Sequence, residues 1–350
     1  MVSVSVVILN WNESDWTIKC IENLLNSTFQ DFEIVLVDNG SDEEDIQKIE
    51  EKFGKKDRIK IIKNDKNYGF AEGNNIGVRN SSGRYVVLLN NDVEISKDWL
   101  KSLVSVFKSD RKIAGATCNY MDRSNYSGTM SLCGFYTRYY DDSLCGQGVI
   151  PKLYVSGAWF AFDKTIIKEP FDPDYFIYCE DTYLGWLIWL KGYKVVQFRS
   201  KNPNAKAIHH SKHTLQKRKK GFSVFLGTRN RILNLLLFYE IKTLIKILPM
   251  IVISQMLYLL YEPGHIHNKL KAYLWIMLNF KRVLEKRKRI QKQRKISDKE
   301  IMKMMSCKFR NSFDVGNKIF RNLIEIVNRI FCIYCSIIRL RTVETSHRNL

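Results

Sequence analysis

The first 115 residues alternate short apolar runs with amphipathic stretches, and that alternation restricts the chain to a narrow set of folds. Val2–Leu9, Glu33–Val37, Ile59–Ile62 and Tyr85–Leu89 read as strands, and Thr17–Leu25, Glu43–Phe53, Ala71–Asn80 and Trp99–Phe107 as helices. Such a βαβα succession implies a mostly parallel sheet flanked by helices, with right-handed crossovers. The run YVVLLNND, Tyr85–Asp92, stays apolar without alternating until it meets Asn90, Asn91 and Asp92. That is the profile of a strand buried on both faces, with its polar end at the carboxyl edge of the sheet. Ligands bind at that edge in open α/β sheets, and a carboxylate beside two amides offers hard ligands to Mg²⁺ or Mn²⁺. The same three residues also favour plain turns and caps.

The other strand ends are polar as well. Strand one runs into Asn10, Trp11, Asn12 and Glu13, strand two into VDNGS, and strand three into KNDKNYGFAEGNN, which holds Asn67, Gly69 and Asn74. Singly these residues serve caps and turns. At one sheet edge they form a polar crevice, with acceptors for a base and ribose, amides and helix N-termini for phosphates, and a carboxylate for a metal. Neither GxGxxG nor GxxxxGK[ST] occurs at these positions, so a dinucleotide fingerprint or a P-loop is not the explanation.

Farther along, residues 118–150 lack a clear period and read as loops or a small antiparallel excursion, and Tyr154–Phe162 reads as a strand. Asp181–Leu190 reads as a helix ended by Gly192. Its start carries Glu180 and Asp181, either helix caps or a catalytic carboxylate pair whose ionised form the helix dipole favours. AIHHSKHT sets three histidines within five residues, metal ligands or loop decoration.

Charge divides the chain. Residues 1–200 carry 24 Lys/Arg against 28 Asp/Glu, and residues 201–350 carry 32 against 8. The second part needs an anionic partner, either nucleic acid or lipid headgroups. It joins a strongly apolar stretch, 222–261, to Lys281–Lys295, which has nine basic residues and one Glu. The longest uncharged run, Ile247–Tyr261, is 15 residues, short of the ~20 that span a bilayer. A peripheral or monotopic anchor on an anionic membrane surface is expected, with a soluble appendage packed on the first domain as the plainer alternative. The N-terminus shows no secretory signal pattern, which points to the cytoplasmic face of the membrane. The eight cysteines are expected to be reduced and mostly buried.

SVVILNWN, EIVLVDNGS, NYGFAEGNN and YVVLLNNDVEIS, in this order, resemble the nucleotide-sugar-binding motifs of family-2 glycosyltransferases with the GT-A fold, in particular the rhamnosyltransferase-like branch. The resemblance covers residues 4 to about 235. It implies a GT-A domain over 1–220, with a nucleotide-sugar half (1–117) and an acceptor half (118–220), followed by a basic amphipathic helical region over 221–350. It places Asn10, Asn12, Asp38, Asn67, Gly69, Asn74, Asn90 and Asn91 at the donor nucleotide, and Asp92 and His209 at a metal, with His210 as second choice. Asp181 falls at the catalytic base, and Trp159, Glu180 and Arg229 at the acceptor or a phosphate. Arg229 could equally cap a helix. Where the family usually has an Asp and an Arg farther along the base's helix, this chain has Tyr183 and Leu187.

The resulting expectation is an inverting transfer, aided by Mg²⁺ or Mn²⁺, of a sugar from a nucleoside diphosphate donor to a hydroxyl of a glycan, lipid-linked and destined for surface polysaccharide or glycoprotein. The alternative is a nucleic-acid-binding protein that uses the basic region, although no nucleic acid is expected among the partners.

Overall fold

In the computed structural model the described residues are 2–120, 126–140, 148–210, 220–260, 263–310 and 317–346. The chain forms two compact units. One holds Met1–Asp122, Gly146–Ile188 and Tyr193–Arg218; the other holds Arg123–Cys145, Trp189–Gly192 and Lys219–Leu350. Residues 126–140, read from sequence as part of the acceptor half, are grouped with the helical unit.

The first unit is built on β1 (Val4–Asn10), α1 (Ser14–Leu25), β2 (Phe32–Asp38), α2 (Glu43–Phe53), β3 (Ile59–Lys63), α3 (Gly69–Arg79) and β4 (Tyr85–Asn90). β5 (Val93–Ile95) and α4 (Trp99–Ser109) follow, then β6 (Ile113–Tyr120). β1 is flanked by β2 and β4, and β2 by β3, all in parallel. The unalternating apolar composition of β1, β2 and β4 is explained by burial on both faces.

Beyond β4 the sheet turns mixed. In the second unit, β7 (Tyr126–Met130) and β8 (Tyr136–Tyr140) pair as a separate antiparallel hairpin, the small excursion that composition suggested. β9 (Gly148–Pro151) and β10 (Trp159–Asp163) belong to the main sheet, whose order is β3-β2-β1-β4-β10-β6-β11-β9, with β11 at Lys194–Ser200. The strand expected over Tyr154–Phe162 is therefore shorter, and it runs antiparallel to β4. β11 was not legible, because Lys194, Gln197 and Arg199 interrupt its apolar residues.

α3 lies close on this sheet. A Cβ on Gly77 would stand 2.3 Å from Val7 Cγ1, and one on Gly73 2.6 Å from Leu9 Cδ1. Gly77→Ala gains ~1 kcal/mol of helix propensity. It meets a β-branched side chain with little rotamer freedom. Overpacking of that kind costs about 1–3 kcal/mol, so the substitution is expected to destabilise the unit, read as a lower midpoint in urea with an unchanged slope.

The second unit contains α6 (Lys220–Phe238), α7 (Ile241–Leu260), α8 (Ile266–Leu278), α9 (Phe280–Gln291), α10 (Asp298–Met302), α11 (Lys318–Ile337) and α12 (Val343–Ser346). α7 continues N-terminally through Lys246 and Lys242, so its 20 residues exceed the uncharged run and are long and apolar enough to cross a membrane. α11 is apolar on two sides: Ile324 and Phe331 are buried, while Ile319, Ile326, Ile330 and Ile333 are exposed. One expectation is corrected here. Cys307 and Cys332 are joined as a disulfide, their Cα atoms 5.5 Å apart and within bridging range. Cys332 and Cys335 are three positions apart on one helix, whereas the partner of Cys332 lies 25 residues earlier. Cys20, Cys118, Cys133, Cys179 and Cys335 take no part in a disulfide.

Candidate active site

Parallel register sets the strand ends level. Asn10 of β1 stands opposite Asp38 of β2, and Leu9 opposite Asn90 of β4. The Asn10 amide donates to Asp38 Oδ1 and to Asp45 Oδ2, both at 2.9 Å, and its carbonyl oxygen accepts from Thr17 Oγ1 at 2.7 Å. Asn91 in turn donates to Thr17 Oγ1 at 3.1 Å. Although burial opposes its ionisation, hydrogen bonds from Asn10 and Ser14 hold the Asp45 carboxyl below the usual range. Asn12, in the left-handed region at φ 53°, accepts from the Asp42 amide at 2.8 Å.

A residue not singled out from sequence organises the next wall. Buried Asn39 donates to Asn67 Oδ1 and to the Gly69 carbonyl, each at 3.1 Å, and accepts from Asn64 Nδ2 and the Tyr68 amide. One side chain thereby pins the loop ahead of α3 to the end of β2. The signal was present in VDNGS, where an Asn follows the strand-terminal Asp. Gly69 takes φ +83°, and a Cβ there would meet the Phe176 ring at 2.5 Å.

After Asp92 the chain enters β5, which pairs antiparallel with β12 (Ala207–His209), placing His209 opposite Val93. This brings His209 Nε2 to 3.1 Å from Asp92 Oδ1 and 3.4 Å from Asn90 Nδ2. His210, the second choice, faces Glu94 at 3.4 Å and stacks near Trp16. His213 lies outside the described residues. Among the described residues no group of three or more His, Cys, Asp and Glu side chains could hold a metal. Asp92 and His209, side by side, offer a carboxylate and an imidazole, donor types that suit Mg²⁺ or Mn²⁺.

Phe176, Tyr178 and Cys179 all take positive φ (58°, 75° and 63°) immediately before Glu180 and Asp181. Three non-glycine residues in that region within four positions form a strained segment of the kind that persists when its surroundings over-determine it. The Phe176 carbonyl accepts from the Ala71 amide at 3.0 Å, and the Phe176 ring covers Gly69. The segment delivers Glu180 and Asp181 to the first turn of α5 (Glu180–Leu190). The Thr182 amide donates to Asp181 Oδ1 at 2.7 Å. The helix dipole was expected to favour the ionised carboxylate. Burial outweighs it and the hydrogen bonds together, so the Asp181 carboxyl lies above the usual range. Tyr183 packs edge-on against Tyr175, and Leu187 is buried, so both positions serve the core.

These elements enclose one cleft of about 250 Å³. Asn67, Gly69, Asn90, Asn91, Asp92, Glu180, Asp181 and His209 line it, joined by Trp11 and Glu13 from the end of strand one and by Asn39, Phe70, Ser156, Gly157, Ile177 and Tyr178, which were given no individual role from sequence. Asn10 and Asp38 are buried in the network behind this wall. Asn74 does not line the cleft; it donates to the Phe70 carbonyl within α3. Trp159 is likewise outside the lining, its ring 6.1 Å from that of His209. Arg229 lies in the helical unit, its guanidinium over Phe225 and Trp275 and bonded to Asn230 Oδ1 at 3.0 Å.

Residues 5–169 match the model of glycosyl transferase family 2. This part of the chain is similar to family-2 glycosyltransferases and has the GT-A fold. An uncharacterised glycosyltransferase of Rickettsia bellii is 40% identical over 89 residues, 25% of this chain and 13% of the relative. Chondroitin synthase of Escherichia coli is 29% identical over 122 residues, 35% of this chain and 17% of the relative. The matched region thus spans less than a fifth of either relative. In fold, the domain resembles GalNAc-T7 solved with UDP, GalNAc and Mn²⁺, at TM-score 0.52 and 19% identity, covering 60% of this chain and 43% of that one.

A carboxyl whose folded pKa is raised stabilises the fold below its unfolded pKa and loses that contribution as pH climbs toward the folded value. Asp181→Asn removes the ionisation. Its thermal midpoint is expected to exceed that of the unsubstituted protein at pH 7–8, with the gap closing as pH falls toward ~4, the unfolded carboxyl range. Calorimetry across that pH range reads the trend.

Proposed function

We propose that this glycosyltransferase moves a sugar from a nucleoside diphosphate donor to an acceptor hydroxyl with inversion. The observation that carries the reading is that Asp181, Asp92 and His209 line one cleft. The acceptor oxygen bonds to the anomeric carbon, its proton passes to a carboxylate oxygen of Asp181, and the bond from that carbon to the diphosphate oxygen breaks, releasing nucleoside diphosphate. A raised pKa suits a carboxylate that must hold that proton. Asp92 and His209 would hold Mg²⁺ or Mn²⁺, which supplies positive charge to the leaving diphosphate. Asn39, Asn67, Asn90 and Asn91 offer amides to the donor, while Asn10 and Asp38 keep the strand ends in place. That a protein of similar fold was solved with UDP, GalNAc and Mn²⁺ supports a nucleotide-sugar donor and a divalent metal.

The donor sugar is a hexose or rhamnose, and the acceptor a glycan, lipid-linked and part of surface polysaccharide or glycoprotein synthesis. Exposed apolar side chains on α7, α8 and α11, close in sequence to basic α9, support work at the cytoplasmic face of an anionic membrane, peripheral or monotopic.

Incubation with UDP-, GDP- and dTDP-sugars, acceptor and Mn²⁺, followed by nucleoside diphosphate release, tests class and donor together. Asp181→Asn is expected to lower kcat by ~10²–10⁴ with donor affinity kept. The acidic limb of kcat/KM should lie above the ordinary carboxylate range, and unchanged turnover in the variant would remove Asp181 as the base. Asp92→Ala should abolish the Mn²⁺ dependence of donor binding in calorimetry.

A further inference from the structure

The helical unit carries a second cleft, of about 380 Å³, which takes no part in this chemistry. Arg287, Lys288 and Arg294 line it against a single lining carboxylate, Glu240. Glu240 is engaged, its Oε2 accepting from the Asp298 amide at 3.2 Å. The two guanidiniums are fixed from behind: Arg287 donates to the Leu236 carbonyl and Arg294 to that of Phe238, both at the C-terminal end of α6, where cations suit the helix dipole. Asp298 Oδ1 pairs with Arg294 at 3.0 Å. Burial, more than the neighbouring Arg294 charge, holds the Arg287 guanidinium below its usual range, and with Arg294 also donating to Gln291 and the Ile296 carbonyl, Arg287 and Lys288 are the cations that face a ligand in the cleft.

The rim of the cleft is apolar. Ile241, 57% exposed, opens α7, and Leu284, 40% exposed, stands on α9. From Ile241 onward α7 turns Ile245, Leu248, Val252 and Met256 outward at helical spacing, and only 28% of its most apolar stretch is buried. A continuous apolar face of that length beginning at a cationic cleft matches an amphiphile, whose phosphate and hydrocarbon are joined. Nucleic acid would satisfy the cations and leave the aliphatic rim in water.

We infer that this cleft binds the phosphate of an anionic phospholipid headgroup, with the acyl chains against Ile241, Leu284 and the outward face of α7. The inference deepens the membrane part of the proposed function, on which it rests, and is independent of sugar transfer.

The test is flotation of the full chain with vesicles of phosphatidylcholine alone and of an equimolar mixture with phosphatidylglycerol. Arg287→Gln/Lys288→Gln removes two charges inside the cleft, and Lys281→Gln/Arg282→Gln removes two on the same helix outside it. Diffuse attraction, worth about 1 kcal/mol per basic residue near the surface, weakens both pairs alike. A headgroup site is expected to cost the cleft pair about tenfold more affinity for the mixed vesicles than the control pair, with equal losses overturning it. Because Arg287 supports α6, exposed Lys288→Gln alone, compared with Lys281→Gln alone, repeats the comparison without disturbing the fold. Displacement from vesicles by soluble glycerol phosphate at concentrations comparable to the lipid would show a site for free phosphate, and retention on heparin without vesicle binding would show one for nucleic acid; either result overturns the inference. Nucleoside diphosphate release, assayed in parallel, separates failure of the transfer reading from failure of this one.

Discussion

The register of three parallel strands is the constraint on which the site depends. With Asn10 opposite Asp38 and Leu9 opposite Asn90, the ends of β1, β2 and β4 meet at one level. A slip of one residue would turn each of these side chains to the other face of the sheet. The buried Asn10 amide, bonded at once to Asp38, Asp45 and Thr17, holds the level from beneath, and its partners leave it little freedom to serve anything else.

On that floor the functional groups arrive by two return paths. The short β5–β12 pairing carries His209 back to Asp92 across more than a hundred residues of sequence. The segment Phe176–Cys179 carries Glu180 and Asp181 back over the N-terminus of α3, held by the Phe176 carbonyl and ring. The first path is secured by backbone hydrogen bonds. The second is secured by packing against a glycine, with the conformational strain taken up in the loop itself.

The βα alternation of the first half was legible because its strands are buried on both faces and its helices are amphipathic, two periods that sequence displays directly. Helix Glu43–Phe53 was read at its observed ends, and Asn90 to Asp92 fell at the predicted edge. Less was legible where tertiary contacts decide. Asn39 and Asn10 both stand at strand ends and are both buried, yet Asn39 lines the cleft while Asn10 is taken up by Asp38, Asp45 and Thr17. β11 hides behind charged positions, and the Cys307–Cys332 bridge joins residues whose proximity no local spacing announces. The direction of the Asp181 shift was missed because a helix N-terminus is visible in sequence, whereas the degree of burial is not.

α5 has a consequence of its own. Past its acidic first turn the helix is apolar on every side, with Leu184, Trp186 and Ile188 wholly enclosed. A rod seated that way has no surface along which to slide or rotate, so the carboxylate at its tip is positioned by the core. Whatever changes in the loops around the cleft, the Asp181 carboxyl proposed as the base keeps its address.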